Sequence, residues 1–187
     1  MRILSYGKLV SITGPMFAGK SEKMIQALQQ GQLLDIVINK PLVLKHSFDQ
    51  ARYDNKHIVS HSKQIFPCNL IDDEGLKTLS INDAYDWIFI DEAQFFSSSL
   101  LVDTCINFLH HGINICCAGL NQDSFGKPFG AMGDILALSD HIIHLTARCS
   151  ICQQAATKTH RLVSATATIL VGGQHEYEPR CNNHWHP

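Results

Sequence analysis

The chain has 187 residues, of which 45% are hydrophobic and 17% charged, and its formal net charge is −2. That length fits one ordinary domain with a small appendage, and the apolar content supports a buried core rather than disorder. The near-neutral balance argues against a dedicated nucleic-acid or membrane-surface binder, which would carry a basic face. No apolar run reaches spanning length and Met1–Val10 lacks the apolar stretch of a signal peptide, so the cytoplasm is the expected compartment.

In chain order, Lys8–Thr13 is a short β-rich run that ends on a glycine. The next residues, Gly14-Pro15-Met16-Phe17-Ala18-Gly19-Lys20-Ser21, fit G-x-x-x-x-G-K-[ST], the loop that wraps nucleotide phosphates. Its glycines let the backbone aim N–H groups at phosphate oxygens. Lys20 supplies a point charge for the terminal phosphates, and the Ser21 hydroxyl a ligand for Mg²⁺. From Ser21 to Gln30, Met24, Ile25 and Leu28 recur at helical spacing, and Gly31 is placed to stop the helix. A helix starting there adds its own partial positive charge to the phosphate site.

Pro41–Leu44 reads as a second strand, while Arg52–Leu70 is polar, without a clean period, and fits either a loop or a weakly marked hairpin. Trp87–Ile90 is a continuous apolar run, as expected of a parallel strand covered on both faces. It runs into Asp91 and Glu92. At the C-terminal edge of such a strand an Asp holds Mg²⁺ directly or through water, and a neighbouring Glu is placed as a general base. Leu100–His111 reads as a helix closed by Gly112, Ile113–Ala118 as the next buried strand, and Ile142–Leu145 as a last one. Strands alternating with helices predict an α/β fold with a parallel sheet.

After Leu145 the composition changes, and the expected division is a nucleotide-binding domain over 1–146 and a small domain over 147–187 with a short strand at Thr168–Val171. The cysteines divide likewise. Cys68, Cys105, Cys116 and Cys117 sit in apolar surroundings and read as small buried hydrophobes. Cys149-x-x-Cys152 and Cys181-x-x-His184 form two chelating knuckles separated by 28 residues, suited to tetrahedral structural Zn²⁺. His186 lies close enough to compete for the fourth place, although the two-residue gap favours His184. Fixing both ends of Gln153–Arg180 would make that segment a lid beside the nucleotide site.

These motifs together, with Asp91-Glu92-Ala93-Gln94-Phe95-Phe96, Lys127-Pro128-Phe129-Gly130, Val171-Gly172-Gly173 and Tyr177-Glu178-Pro179-Arg180-Cys181, resemble the type II thymidine kinases in order over nearly the whole chain. The resemblance implies a RecA-like P-loop domain followed by a zinc-bound lasso domain, and transfer of the ATP γ-phosphate to the 5′-hydroxyl of thymidine, with deoxyuridine as a further expected substrate. It implies Glu92 as the base, with Lys20 and Arg52 at the phosphates, and Asp91, Ala93 and Gln94 beside Mg²⁺ and the nucleotide. It places Met16, Phe95, Leu120, Phe125, Phe129 and Tyr177 around base and sugar, and the backbone of Thr168, Ile169, Leu170, Val171 and Gly172 along the thymine edge. A homotetramer inhibited by dTTP is the family's habit.

Three departures stand out. Glu22-Lys23 replaces the usual Thr-Glu, Asp49-Gln50-Ala51-Arg52-Tyr53 is one residue longer than Asp-x-Arg-Tyr, and Asn121 and Phe125 stand where the family has an acid and a shifted aromatic. The rival readings are a P-loop ATPase whose zinc ribbon contacts nucleic acid, and a nucleotide-binding regulator without catalysis.

Overall fold

The computed structural model describes residues 5–48, 56–60, 62–80, 84–163 and 173–186. Asp49, Arg52 and Thr168–Gly172, with the strand expected at Thr168–Val171, lie outside the described residues. The elements run β1 (Leu9–Thr13), α1 (Lys20–Gln30), β2 (Gln32–Leu33), β3 (Ile36–Val37), β4 (Pro41–His46), β5 (His57–Val59), β6 (Ile65–Pro67) and β7 (Asn69–Ile71). They continue with α2 (Asp73–Lys77), β8 (Trp87–Asp91), a 3₁₀ turn over Ala93–Phe95, α3 (Ser98–His110), β9 (Asn114–Gly119), α4 (Met132–Leu138) and β10 (His141–His144). The last are β11 (Ala147–Arg148), β12 (Ala155–Ala156), β13 (Lys158–Arg161) and β14 (Tyr177–Arg180).

Six strands form a parallel sheet in the order β10-β1-β9-β8-β4-β7. Its central strands β1, β8 and β9 are buried along almost their whole length because both faces are covered. Alternation along each strand decides which face a side chain joins. Val43, Trp87 and Phe89 pack with Met24, Ile25 and Leu28 of α1. Leu42, Leu44, Ile88 and Ile90 pack with Leu101, Cys105 and Phe108 of α3 and with Leu76 of α2. A parallel sheet between helices, with a loop and a helix N-terminus at its C-terminal edge, is the expected α/β architecture.

Some expectations shift in detail. The polar stretch from Arg52 contains an antiparallel hairpin, β5 with β6, and its end supplies β7 at the sheet edge beside β4. The strand expected over Ile142–Leu145 starts one residue earlier and is an edge strand, with Ile142 exposed, because only β1 flanks it. Of the four cysteines read as buried hydrophobes, Cys105, Cys116 and Cys117 are buried, whereas Cys68 is half-buried beside the hairpin.

Loop 120–130 is fixed from beneath. Asp123 accepts hydrogen bonds from the N–H groups of Phe125 and Lys127, both at 2.9 Å, and Gln122 bridges Pro128. Gly130 has a φ of 51°, and a β-carbon there would lie 1.8 Å from the Gln94 carbonyl oxygen. Gly130→Ala therefore combines left-handed strain, on the order of 1–3 kcal/mol, with a backbone collision. It is expected to lower the urea midpoint without changing the slope; an unchanged midpoint would contradict this packing.

Candidate active site and metal site

The chain entering α1 comes from β1, and the residues closing β8 lie two strands away, across β9. The Ser21 hydroxyl spans that separation and donates to Asp91 Oδ2 at 3.1 Å. Lys20 Nζ donates to the Pro15 carbonyl at 2.8 Å and the Gly14 carbonyl at 3.2 Å, folding over its own loop. Met16, Phe17, Gly19, Lys20, Ser21, Asp91, Glu92 and Leu120 line one cavity. All of these were anticipated from sequence. Lys45, Val59, Ser60 and Gly173 line it as well and were not. In the sequence Lys45 stands only as a lysine following the apolar run Leu42–Leu44, which ordinarily marks a solvated strand end.

Just past β8 the backbone is strained. Glu92 has φ 56° and ψ 40°, a left-handed conformation unusual for a residue with a side chain. The turn lifts its carboxylate into the cavity, where Gln94 Nε2 donates to Glu92 Oε2 at 2.5 Å. Gln94 is itself buried, and its Oε1 accepts from the Leu120 N–H at 3.1 Å. One amide thus holds the Glu92 carboxylate and the start of loop 120–130. Strain of this kind concentrates at functional positions. Ala93 is fully buried beneath the turn.

The aromatic residues divide. Phe95 and Phe129 meet edge to face with centroids 5.8 Å apart, and Phe48 lies 5.1 Å from Phe95. Tyr177, at the start of β14, is 6% exposed, and its hydroxyl accepts from Arg161 at 3.3 Å. Phe125 is turned to the surface, 43% exposed, with the Arg161 guanidinium 5.5 Å from its ring. Ser124 takes the inward place beside it, buried to 8% exposure. The unusual Glu22 has an account too: its carboxylate accepts from the Ser62 hydroxyl at 2.9 Å, tying the β5–β6 hairpin to the start of α1.

At the C-terminal end, Cys149, Cys152, Cys181 and His184 bring one donor atom each to within 4.8 Å of one another. Cys152 Sγ and Cys181 Sγ are 3.7 Å apart, and His184 Nδ1 lies 3.3 Å from Cys181 Sγ and 3.8 Å from Cys149 Sγ. A tetrahedral Zn²⁺ with Zn–S of about 2.3 Å requires S···S edges near 3.8 Å, so the donor set fits. Burial opposes ionisation of Cys149, but backbone N–H groups of Cys152, Cys181 and Ile151 outweigh it and bring the thiol down to about 5. That favours the thiolate a metal needs. His186 brings no ring nitrogen into this group, and its main-chain carbonyl is 3.0 Å from His160 Nδ1. Geometry selects His184.

The Asp91 carboxyl is pushed up to about 7, first by burial and then by the Glu92 charge, with Lys45 and the Ser21 hydroxyl opposing. A buried carboxylate held beside a hydroxyl is a donor set that a divalent cation would complete. Because the folded chain binds this proton more tightly than an ordinary aspartate near 3.8, it holds more protons between those values. The stability contributed is then present at low pH and lost as pH rises through about 7. In metal-free protein, Asp91→Asn is expected to gain melting temperature over wild type at about pH 8 and to lose that advantage at about pH 5. A pH-independent difference would contradict the assignment.

Comparison with known proteins agrees with this arrangement. The thymidine kinase family model matches residues 7–185. A thymidine kinase of Coprothermobacter proteolyticus is 40% identical over 185 residues, covering 95% of this chain and 90% of the relative. Thymidine kinases of Mesomycoplasma hyopneumoniae strain 7448 and Thermococcus kodakarensis are 38% and 33% identical, with 94% and 95% of this chain and 93% of each relative covered. The chain belongs to the thymidine kinase family.

Proposed function

We propose that this protein phosphorylates the 5′-hydroxyl of thymidine with ATP, a salvage reaction yielding thymidine monophosphate. The observation that carries the reading is the convergence of Lys20, Ser21, Asp91 and Glu92 on one cavity in a chain of this family. Phosphoryl transfer needs positioning and charge neutralisation more than covalent help from the protein. Lys20 and the backbone of Gly14–Ser21 hold the triphosphate, and Arg52 is proposed to join them. Ser21 and Asp91 would hold Mg²⁺, which screens the phosphate charge when bound. Glu92, steadied by Gln94, accepts the proton from the acceptor hydroxyl.

Around the nucleoside, we assign Met16, Phe95, Leu120, Phe129 and Tyr177 to the apolar enclosure, with the segment Thr168–Gly172 reading the base. Phe125 is proposed to reach the substrate only from the rim, consistent with its exposure. The proposed division remains 1–146 and 147–187, with Zn²⁺ holding the second unit. No helix among the described residues is long and apolar enough to cross a membrane. A cytoplasmic homotetramer restrained by dTTP, which carries the same base on a triphosphate, completes the proposal.

The deciding experiment offers thymidine, deoxyuridine, deoxycytidine and water as competing acceptors for ATP. Thymidine monophosphate is the expected main product; ADP without a phosphorylated nucleoside would overturn the reading. Glu92→Gln is expected to lower turnover by about 10²–10⁴-fold with ATP binding retained. Near-normal turnover would remove Glu92 from the role of base. Chelating zinc is expected to raise the KM for thymidine more than that for ATP, measured on protein shown to be metal-free. Equal nucleoside kinetics with and without metal would contradict the structural role.

A further inference from the structure

Lys45 is the next-to-last residue of β4 and the register partner of Asp91 on β8. Residues in register on neighbouring parallel strands project from the same face. Along β4 and β8 that face is the one of Val43 and Phe89, which packs beneath α1. The Lys45 ammonium therefore issues at the C-terminal edge on the side of the P-loop helix, and Lys45 lines the same cavity as Lys20, Ser21 and Glu92. The next residue, His46, turns to the other face, where its ring meets Phe96 at 4.4 Å.

Lys45 is 3% exposed. Burying an ammonium is costly unless opposite charge meets it. Here the charge is the Asp91 carboxylate. The cavity then holds two ammonium groups, Lys20 and Lys45, against three carboxylates, Asp91, Glu92 and Glu22, the last of which accepts from the Ser62 hydroxyl. Without Lys45, a triphosphate would meet a single ammonium group among three carboxylates. Lys20 approaches the phosphates from the loop, bonded to the Pro15 carbonyl. Lys45 approaches from the sheet.

We propose that Lys45 is a second phosphate-binding cation and a catalytic residue, donating from Nζ to the γ-phosphoryl group as it is transferred. The inference rests on the phosphoryl-transfer reading. The bond from the γ-phosphorus to the bridging oxygen breaks, ADP leaves with that electron pair, and the new bond forms to the acceptor oxygen, whose proton passes to Glu92. Lys45 keeps its own proton throughout. Its contribution grows as charge spreads over the equatorial oxygens of the transferring group.

The test compares wild type, Lys45→Gln and Lys45→Arg for binding of ADP and of an ATP analogue with a non-transferable γ-phosphate. For Lys45→Gln, analogue affinity is expected to fall about tenfold with ADP affinity within about twofold, and kcat to fall about 10²-fold with the thymidine KM little changed. Lys45→Arg, with the charge retained, is expected to keep an analogue-to-ADP preference close to wild type. A residue that only balances Asp91 would weaken both nucleotides together, and that result, or a kcat within about threefold of wild type, overturns the proposal.

Should Lys45→Gln fail to fold, labelled lysine in the wild-type protein gives the same information by NMR. The Lys45 side-chain signals are expected to move with the analogue and not with ADP; signals that respond to neither, or equally to both, overturn it. Because binding is read without turnover, failure of the wild type to phosphorylate thymidine would count against the functional reading separately.

Discussion

The contact between the Ser21 hydroxyl and the Asp91 carboxylate joins the start of α1 to the end of β8, and the site is built outward from it. These elements are not neighbours in the sheet, since β9 runs between β1 and β8. The bridge needs a low crossing at the end of β9, and that strand closes on Ala118 and Gly119. A β-carbon on Gly119 would stand 2.6 Å from Gln94 Oε1 and 2.8 Å from the Met132 side chain. The absence of a side chain there lets Gln94 slide under Glu92 while it receives the Leu120 N–H. A phosphate-loop helix, a buried acid and a candidate base thus share one corner because a single strand end is small.

That corner is held against its own electrostatics. Asp91 is buried beside Glu92, whose charge disfavours its ionisation. Glu92 adds a left-handed backbone, a strain of roughly 1–3 kcal/mol for a residue with a side chain. Neither would persist on a loose scaffold. The opposing force lies beneath, where Phe89, Ile90, Ile88 and Trp87 are almost fully buried between two helical layers. Burying side chains of that size contributes about 1.5–3 kcal/mol each, enough for one strand to carry the strain at its end. Apolar burial along β8 therefore fixes where its acids sit, and their chemistry depends on a core they do not touch.

Sequence periodicity made the β1–loop–α1 unit legible, because a glycine loop between a strand and an amphipathic helix has few other uses. It also gave β8, α3 and β9, whose apolar runs are long. β7 and α2 were not legible: β7 is three residues, and α2 five, capped by the Asp72 side chain accepting from Gly75 N–H at 2.9 Å. Elements that short leave no period to read, and their positions come from pairing with β4 and packing on the α3 layer. The two cysteine knuckles were legible from spacing, but the choice of His184 over His186 needed coordinates. Lys45 was hidden for a different reason. A lysine after an apolar strand ordinarily marks a solvated strand end, and only the pairing of β4 with β8 shows that this one is roofed over.

The cysteine–histidine cluster is linked to the phosphate loop by a chain of hydrogen bonds through its neighbour Trp185 and β13. Met16 N–H donates to the Thr159 hydroxyl at 3.0 Å, so β13 holds the middle of the P-loop. Lys158, the preceding residue, donates to Gln122 Oε1 at 2.7 Å and lies 5.2 Å from the Trp185 ring, which follows a zinc-ligand candidate. Trp185 in turn donates to the Thr159 carbonyl at 3.1 Å. β13 pairs with β14, and Leu162 N–H bonds the Glu176 carbonyl just beyond. The segment between these strands is therefore tied at both ends to a hairpin that also grips the P-loop and loop 120–130. The apolar cluster around these four donors is small, so a bound metal would supply rigidity that packing there cannot. On this geometry a Zn²⁺ held there would act at a distance, through β13, on the phosphate loop and loop 120–130.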